Sequence, residues 1–290
     1  TRMLEGHGFR VGLTISPHVK DLTERIQLQG APIPPQELCR LLRRCFTIIS
    51  TWSAHAHDLP HYFELMTAVA FLWFHEQNVD YAVVETGIGG RFDATNVLRA
   101  KNKICVFTPI SLDHQRLLGS TPAEKEKEKA GILVAGAQAW SAAQQPDVEA
   151  VLRAEEHVLA ATLWLVDRKA EKCALSETAT SFDRVMSTSV WSDLRLSLIG
   201  RSQAENALLA MDVVEGIAER DSWSVDESTV RTALASVTLP GRYSRYHIHQ
   251  TTVIVDGAHN PQKLEQLFET VGEMYPGKTV ELLLGMASLD

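Results

Sequence analysis

Four places in the sequence carry side chains able to do chemistry, and each follows a short apolar run. Val11 to Ile15 leads into Ser16-Pro17-His18. Tyr81 to Val84 ends on Glu85 and then breaks into glycines at 87, 89 and 90. Ile104 to Thr108 precedes Asp113-His114, and the run from Val253 opens Asp256-Gly-Ala-His259-Asn260-Pro261. A serine hydroxyl, a carboxylate and an imidazole converging on one edge can hold a divalent cation. Glu85 supplies the hard oxygen that Mg²⁺ prefers, with phosphates and waters completing the shell. Each residue also has a plainer reading. Ser16 can cap a loop, His114 can be a hydrogen-bonded loop histidine, and Glu85 can pair with Arg91. Glu85 is the hardest to read plainly, because a carboxylate buried at a strand end is costly unless paired or metal-bound.

Those residues need elements to position them, and the pattern is alternating α/β. The β-branched runs at 11–15, 81–85, 104–108, 162–166 and 253–256 fit strands. Between them lie helical patterns: 35–50, with Leu38, Leu41, Leu42 and Cys45 at helical spacing, 62–76, and 203–220, with Ala207, Leu208, Met211 and Val214 on one face. Strands alternating with helices imply a mainly parallel sheet flanked by helices, whose ligands collect beyond the carboxyl ends of the strands. Pro240-Gly241-Arg242 precedes a new strand–turn–helix unit, which divides the chain into a domain over 1–239 and the beginning of a second α/β domain over 240–290. Thr1 to Gly8 reads as the tail of a helix ending at glycine, so the chain is expected to enter within an element.

Composition narrows the class. The 290 residues are 45% hydrophobic and 22% charged, the balance of a globular enzyme. A formal charge of −8 argues against broad nucleic-acid binding. Cys39, Cys45, Cys105 and Cys173 have neither Cys-x-x-Cys nor zinc spacing, which fits reduced cysteines in a cytoplasmic protein. No apolar run approaches a membrane span.

Eight segments together resemble the folylpolyglutamate synthase/dihydrofolate synthase family of the Mur ligase superfamily. They are Ser16-Pro-His with Thr23-Glu-Arg25, Tyr62-Phe-Glu64, Glu85-Thr-Gly-Ile-Gly-Gly-Arg-Phe-Asp-Ala-Thr-Asn96, Asp113-His114, Glu128-Lys129-Ala-Gly-Ile132, Gln203-x-x-Asn206, Pro240-Gly-Arg242 and Asp256-Gly-Ala-His-Asn-Pro261. Their order and spacing follow the family nearly end to end, with an interval of roughly 140 to 195 that carries no motif. One departure is Ile15, which stands where the family usually has Thr or Ser before the serine.

The resemblance implies a P-loop NTPase-like central domain followed by a Rossmann-like one. The family's phosphate loop precedes the helix before the Ser-Pro-His strand, so it is expected immediately upstream of Thr1, and Leu284 to Asp290 resembles a second-domain strand and loop. The glycine turn after Glu85 carries no Gly-Lys-Ser/Thr. By the resemblance it is a different device, one that lets backbone pass close to the ligand while Glu85 reaches the metal. The implied reaction is ATP-dependent amide formation. A carboxylate of dihydropteroate or a folate becomes an acyl phosphate, and the amine of L-glutamate attacks it. Magnesium ligands map onto Ser16, Glu85 and His114. Nucleotide contacts map onto Asn206, Arg242 and Asp256, with His259 in the same motif as a catalytic residue. Lys129 maps onto a lysine carboxylated on its side-chain nitrogen. Without the resemblance, the Glu-Lys run from Glu124 to Lys129, after a capping box at Thr121 with Pro122 at the first helical position, reads as a solvated helix face. With a formal charge of −8 and no spanning run, the expected partners are small-molecule substrates, with no nucleic acid and no membrane, and a monomer is expected. Two alternatives stay open: a Mur-type ligase acting on a UDP-sugar peptide, and a noncatalytic nucleotide-binding pseudoenzyme.

Overall fold

The structure, a computed structural model, describes residues 1–51, 59–110, 127–166 and 169–285. It divides into two units interleaved along the chain: Thr1–Val166 with Val213–Thr229, and Asp167–Asp212 with Val230–Asp290.

In the first unit, α1 (Arg2–Gly6) ends through Gly8, whose φ of 89° lies where only glycine is at ease. Then come β1 (Val11–Thr14), a 3₁₀ turn (Leu22–Arg25), β2 (Ile26–Leu28), β3 (Ala31–Pro32), α2 (Pro35–Ile49), α3 (Tyr62–Glu76) and β4 (Tyr81–Val84). The strand order is β3-β2-β1-β4, with β1 and β4 parallel and the pairs β1/β2 and β2/β3 antiparallel. Helix α3 is apolar on most sides, and Met66, Val69, Ala70, Trp73 and Phe74 bury against Ile26, Ile33, Leu38 and Leu41. Gly12 makes that packing possible, since a Cβ there would lie 2.6 Å from the Phe74 ring.

The same unit holds a second sheet, ordered β5-β6-β7 and parallel throughout: β5 (Ile104–Phe107), β6 (Gln138–Ala142) and β7 (Thr162–Val166), with α4 (Pro146–Leu159) crossing between the last two. Its core joins Cys105, Phe107, Ala139, Val148, Leu152 and Leu163 to Ala130 and Leu133.

The second unit contains β8 (Glu171–Leu175), β9 (Thr180–Val185) and β10 (Val190–Leu196) as an antiparallel sheet. Helices α5 (Arg201–Asp221) and α6 (Glu227–Ala235) contribute residues to both units. An antiparallel hairpin of β11 (Ser244–Ile248) and β12 (Thr251–Val255) then leads into α7 (Pro261–Met274). The α/β class is present, as are the strands expected at 11–15, 81–85, 104–108, 162–166 and 253–256 and the helices expected at 35–50, 62–76 and 203–220, with ends shifted by at most two residues. Residues 284–285, where a further strand is expected to begin, form none. Sequence reading supplied neither β6 nor the β8–β10 meander. The meander alternates in twos, burying Thr180, Phe182, Leu194 and Leu196, but charged residues break the pattern. Arg184 is fully buried because it pairs with Asp212 and lies 5.4 Å from the Trp191 ring centre.

Candidate functional site

Ser16 and Glu85 meet at the carboxyl ends of adjacent parallel strands. Thr14 is in register with Val84, and the Glu85 amide donates to the Thr14 carbonyl at 3.0 Å. One step further, the Ser16 amide donates to Glu85 Oε2 at 2.6 Å. The pleat that pairs the strands thus brings a hydroxyl-bearing residue and a carboxylate to one edge. One expectation needs correction: Glu85 is exposed, not buried. Its placement therefore rests on strand pairing and the Ser16 amide, not on escape from a desolvation penalty. Arg91 extends to Glu155 at 3.1 Å and to Glu128 at 3.9 Å.

The glycine turn has a structural partner. A Cβ on Gly90 would lie 2.5 Å from the Glu128 carbonyl oxygen and 3.0 Å from that of Lys129, and a Cβ on Gly131 would lie 2.5 Å from Arg91 Cβ. The Arg91 amide donates to the Glu128 carbonyl at 2.8 Å. A Cβ on Gly87 would lie 2.5 Å from the Phe63 ring. Small residues here let the turn after Glu85 lie directly on the Lys129 segment and on α3. Asp93 then closes the turn, accepting from the Ile88 amide at 2.9 Å and the Thr95 amide at 3.0 Å.

Lys129 stands in a helical stretch over 127–130 and is half-buried, while Lys127 is exposed. The next residue, Ala130, is fully buried in the second core. His114 lies outside the described residues, as do Asp113, Lys125 and the expected helix start at Thr121. Among the described residues, no cluster of three or more His, Cys, Asp or Glu side chains could hold a metal. Ser16 and Glu85 still fit a hard cation, because Mg²⁺ typically takes one or two protein oxygens and leaves the rest to water and phosphate.

Beside Ser16, the 3₁₀ turn is held by a reciprocal cap in which Asp21 accepts from the Thr23 amide and Glu24 from the Asp21 amide, each at 2.9 Å. The Val19 amide, with those of Asp21 and Lys20, pulls the Glu24 carboxyl below its usual range. Arg25 leaves this turn with Nε donating to His18 Nδ1 at 2.9 Å and its guanidinium 5.3 Å from the Tyr62 ring centre. Two segments distant in sequence, Thr23-Glu-Arg25 and Tyr62-Phe-Glu64, therefore touch. Glu64 caps its own helix, accepting from the His61 amide at 2.7 Å.

In the second unit, Pro240-Gly-Arg242 and Asp256-Gly-Ala-His259 form one assembly. The Gly257 amide donates to the Gly241 carbonyl at 2.8 Å, and Arg242 Nη1 would lie 2.6 Å from a Cβ on Gly257. Asp256 accepts from the Tyr243 amide and the Ala258 amide, both at 2.7 Å, so it organises the turn. His259 Nδ1 lies 2.7 Å from the Gly257 carbonyl, which places the proton on Nδ1 and leaves Nε2 facing Lys263 Nζ at 3.5 Å. Asn260 caps α7 by accepting from the Lys263 amide at 2.8 Å. Asn206 is half-buried on α5. The phenol of Tyr243, beside Arg242, is pushed up to about 12 by burial, with Tyr275 nearby.

No family model matches the chain. It is 32% identical over 287 residues to the dihydrofolate synthase/folylpolyglutamate synthase of Bacillus subtilis, an alignment covering 97% of this chain and 65% of that protein. Among solved structures, the folylpolyglutamate synthase of Mycobacterium tuberculosis complexed with ADP and AMPPCP superposes with a TM-score of 0.85 at 35% identity, covering 93% of this chain and 62% of that one. An FPGS–AMPPCP–folate complex superposes with a TM-score of 0.85 at 30% identity, covering 95% and 67%. The chain spans less than two thirds of the length of the curated relatives it matches first.

Proposed function

The chain belongs to the folylpolyglutamate synthase/dihydrofolate synthase family, and from that premise we propose that its protein is an ATP-dependent ligase. It adds L-glutamate to dihydropteroate, to a folyl-polyglutamate, or to both. The observation that carries the reading is the strand-end pair of Ser16 and Glu85, with the turn that follows it packed on the Lys129 segment.

In this reading the acceptor's carboxylate oxygen takes the γ-phosphoryl group of ATP and ADP leaves. The glutamate nitrogen then bonds to the acyl carbon, the carbon–oxygen bond to phosphate breaks, and the amine gives up a proton. Phosphoryl transfer of this kind depends mainly on positioning and charge neutralisation. Ser16, Glu85 and His114 would hold Mg²⁺, which supplies positive charge against the phosphate oxygens. Lys129, carboxylated on Nζ, adds a fixed anion beside that set. Arg242 offers a planar fork of donors suited to phosphate, and Asn206 and Asp256 contact the nucleotide. His259 presents Nε2 from a tautomer held by the Gly257 carbonyl. We place the boundary between the ATP-binding domain and the second domain at 239/240, and we assign the protein to the cytoplasm as a monomer. Among the described residues, no helix is long and apolar enough to cross a membrane.

The test is glutamate-dependent ADP release by the full-length protein, with dihydropteroate and a reduced folate supplied separately. Release with one or both acceptors is expected. No release with either, in the presence of ATP and magnesium, would overturn the ligase reading.

A further inference from the structure

Two residues outside the proposed ligand set, Asn96 and Lys103, tie together the segments that carry Glu85 and Lys129. Asn96 is buried. Its Nδ2 donates to the Arg91 carbonyl at 3.0 Å, at the end of the glycine turn, and to the Gly131 carbonyl at 2.9 Å, two residues past Lys129. Its Oδ1 accepts from Lys103 Nζ at 3.0 Å, and the same Nζ donates to the Ile132 carbonyl at 2.8 Å. One amide and one ammonium thus make four hydrogen bonds across three segments. Both partners of Lys103 are neutral oxygens. Burial pushes its ammonium below the usual range, which marks it as a half-buried donor and not a solvated surface charge.

The geometry around these bonds leaves no slack. The missing Cβ positions of Gly90 and Gly131 are occupied from the opposite segment, and the Arg91 amide bonds across to Glu128. Removing the Lys103 ammonium leaves Oδ1 of the buried Asn96 without that donor, while the Ile132 carbonyl keeps the Cys105 thiol at 3.3 Å. A buried acceptor left unpaired costs more than a single bond contributes. We infer that Lys103 and Asn96 are positioning residues that hold the turn after Glu85 at a fixed distance from Lys129. The inference rests on the ligase reading for its catalytic consequence, and on contacts within one unit for its structural one.

Lys103→Met in the full-length protein retains an unbranched stem and removes the donors, and Lys101→Met at an exposed neighbour is the control. Hydrogen exchange should rise over 86–96 and 127–133, where the Arg91 and Gly131 amides bond to Glu128 and Lys127, and stay unchanged over α3. Glutamate-dependent kcat should fall by roughly ten- to a hundredfold, as misplacement of catalytic groups does. The KM for ATP should stay within about twofold, the signature of a lost transition-state contact and not of lost binding. The Asn96→Ala/Lys103→Met double variant should lose less than the product of the single losses, since the two side chains bond to each other. Unchanged exchange in both segments would overturn the inference. So would exchange raised equally over α3, or exchange raised locally with kcat intact. If the unsubstituted protein shows no glutamate-dependent turnover, the ligase reading fails, and the exchange measurements still decide whether the tie exists.

Discussion

Lys127 and Lys129 lie two residues apart, yet Lys127 is exposed while Lys129 is half-buried beside the fully buried Ala130. A surface lysine contributes almost nothing to stability or catalysis, whereas a carbamate at Lys129 would contribute a negative oxygen. In the full-length protein, Lys129→Ala should nearly abolish ligase turnover while Lys127→Ala stays close to neutral. A small carboxylate in the medium should partly restore the Lys129 variant. Kinetics at varied bicarbonate with both variants side by side check this, and equal activity would return the run to a solvated helix face. Glu85→Gln tests the other end of the set. The carboxamide preserves the shape but loses the charge, so turnover should drop by about a hundredfold or more with far-ultraviolet circular dichroism unchanged. Turnover within a few-fold of the unsubstituted protein would make Glu85 a structural acceptor for the Ser16 amide. Tyr243 gives a pH signature. Its folded phenol holds a proton up to about 12, against 10.0 for an unperturbed one. Between those values the unfolded chain releases the proton first and so binds fewer protons than the native state. The Tyr243 contribution to stability should therefore be fully present below that window and be lost as pH rises through it. Denaturant midpoints across the window, compared with those of Tyr243→Phe, give the check: the variant should show the shallower decline.

Among the elements, the glycine turn is the piece on which the others depend. Its small residues pack against backbone atoms on one side and an aromatic ring on the other. A Cβ at Gly90 meets the Glu128 carbonyl, a backbone atom that cannot swing aside. Gly90→Ala should therefore destabilise the protein by about 1–3 kcal/mol, the usual range for overpacking, and should reduce turnover as well. Gly272 lies within α7 with open space around it. Alanine there should stabilise by about 0.5–1 kcal/mol, because glycine loses more backbone freedom in a helix. Thermal unfolding of the two variants with turnover measured alongside separates the effects, and a Gly90→Ala protein of full stability would mean that the two segments can part without cost.

At the scale of the molecule, the folded units rest on apolar packing. In the first unit, one core is built on α3 and another on the β5–β7 sheet, each from side chains that need no ion to be buried. Removing divalent cations from the full-length protein should abolish ATP turnover while leaving helix content and the unfolding midpoint of the nucleotide-free protein nearly unchanged. Turnover should return when magnesium is added back. Loss of secondary structure on chelation would show that the metal is part of the fold. Much of this molecule is legible in the sequence because the relevant signals are local. Apolar runs of four or five residues mark the strands at 11–14, 81–84, 104–107 and 162–166, and helical spacing marks α2, α3 and α5. Since parallel strands present their carboxyl ends together, Ser16 and Glu85 could be placed on one edge before their contact was seen. Other features depend on residues far apart in the chain. Exposure of Glu85 follows from what packs nearby, not from its position after an apolar run. The partner of the glycine turn is a segment nearly forty residues on, and no spacing within the turn names it. Asn96 sits in a recognised motif, but its bond to the Gly131 carbonyl exists only once the Lys129 segment has been brought onto the glycine turn. The β8–β10 meander went unread because Asp183 and Arg184 interrupt its alternation, and their charges are accommodated by Lys172 and Asp212, partners that only the folded chain supplies. Periodicity encodes which face of an element is buried; which other element covers that face is decided by packing.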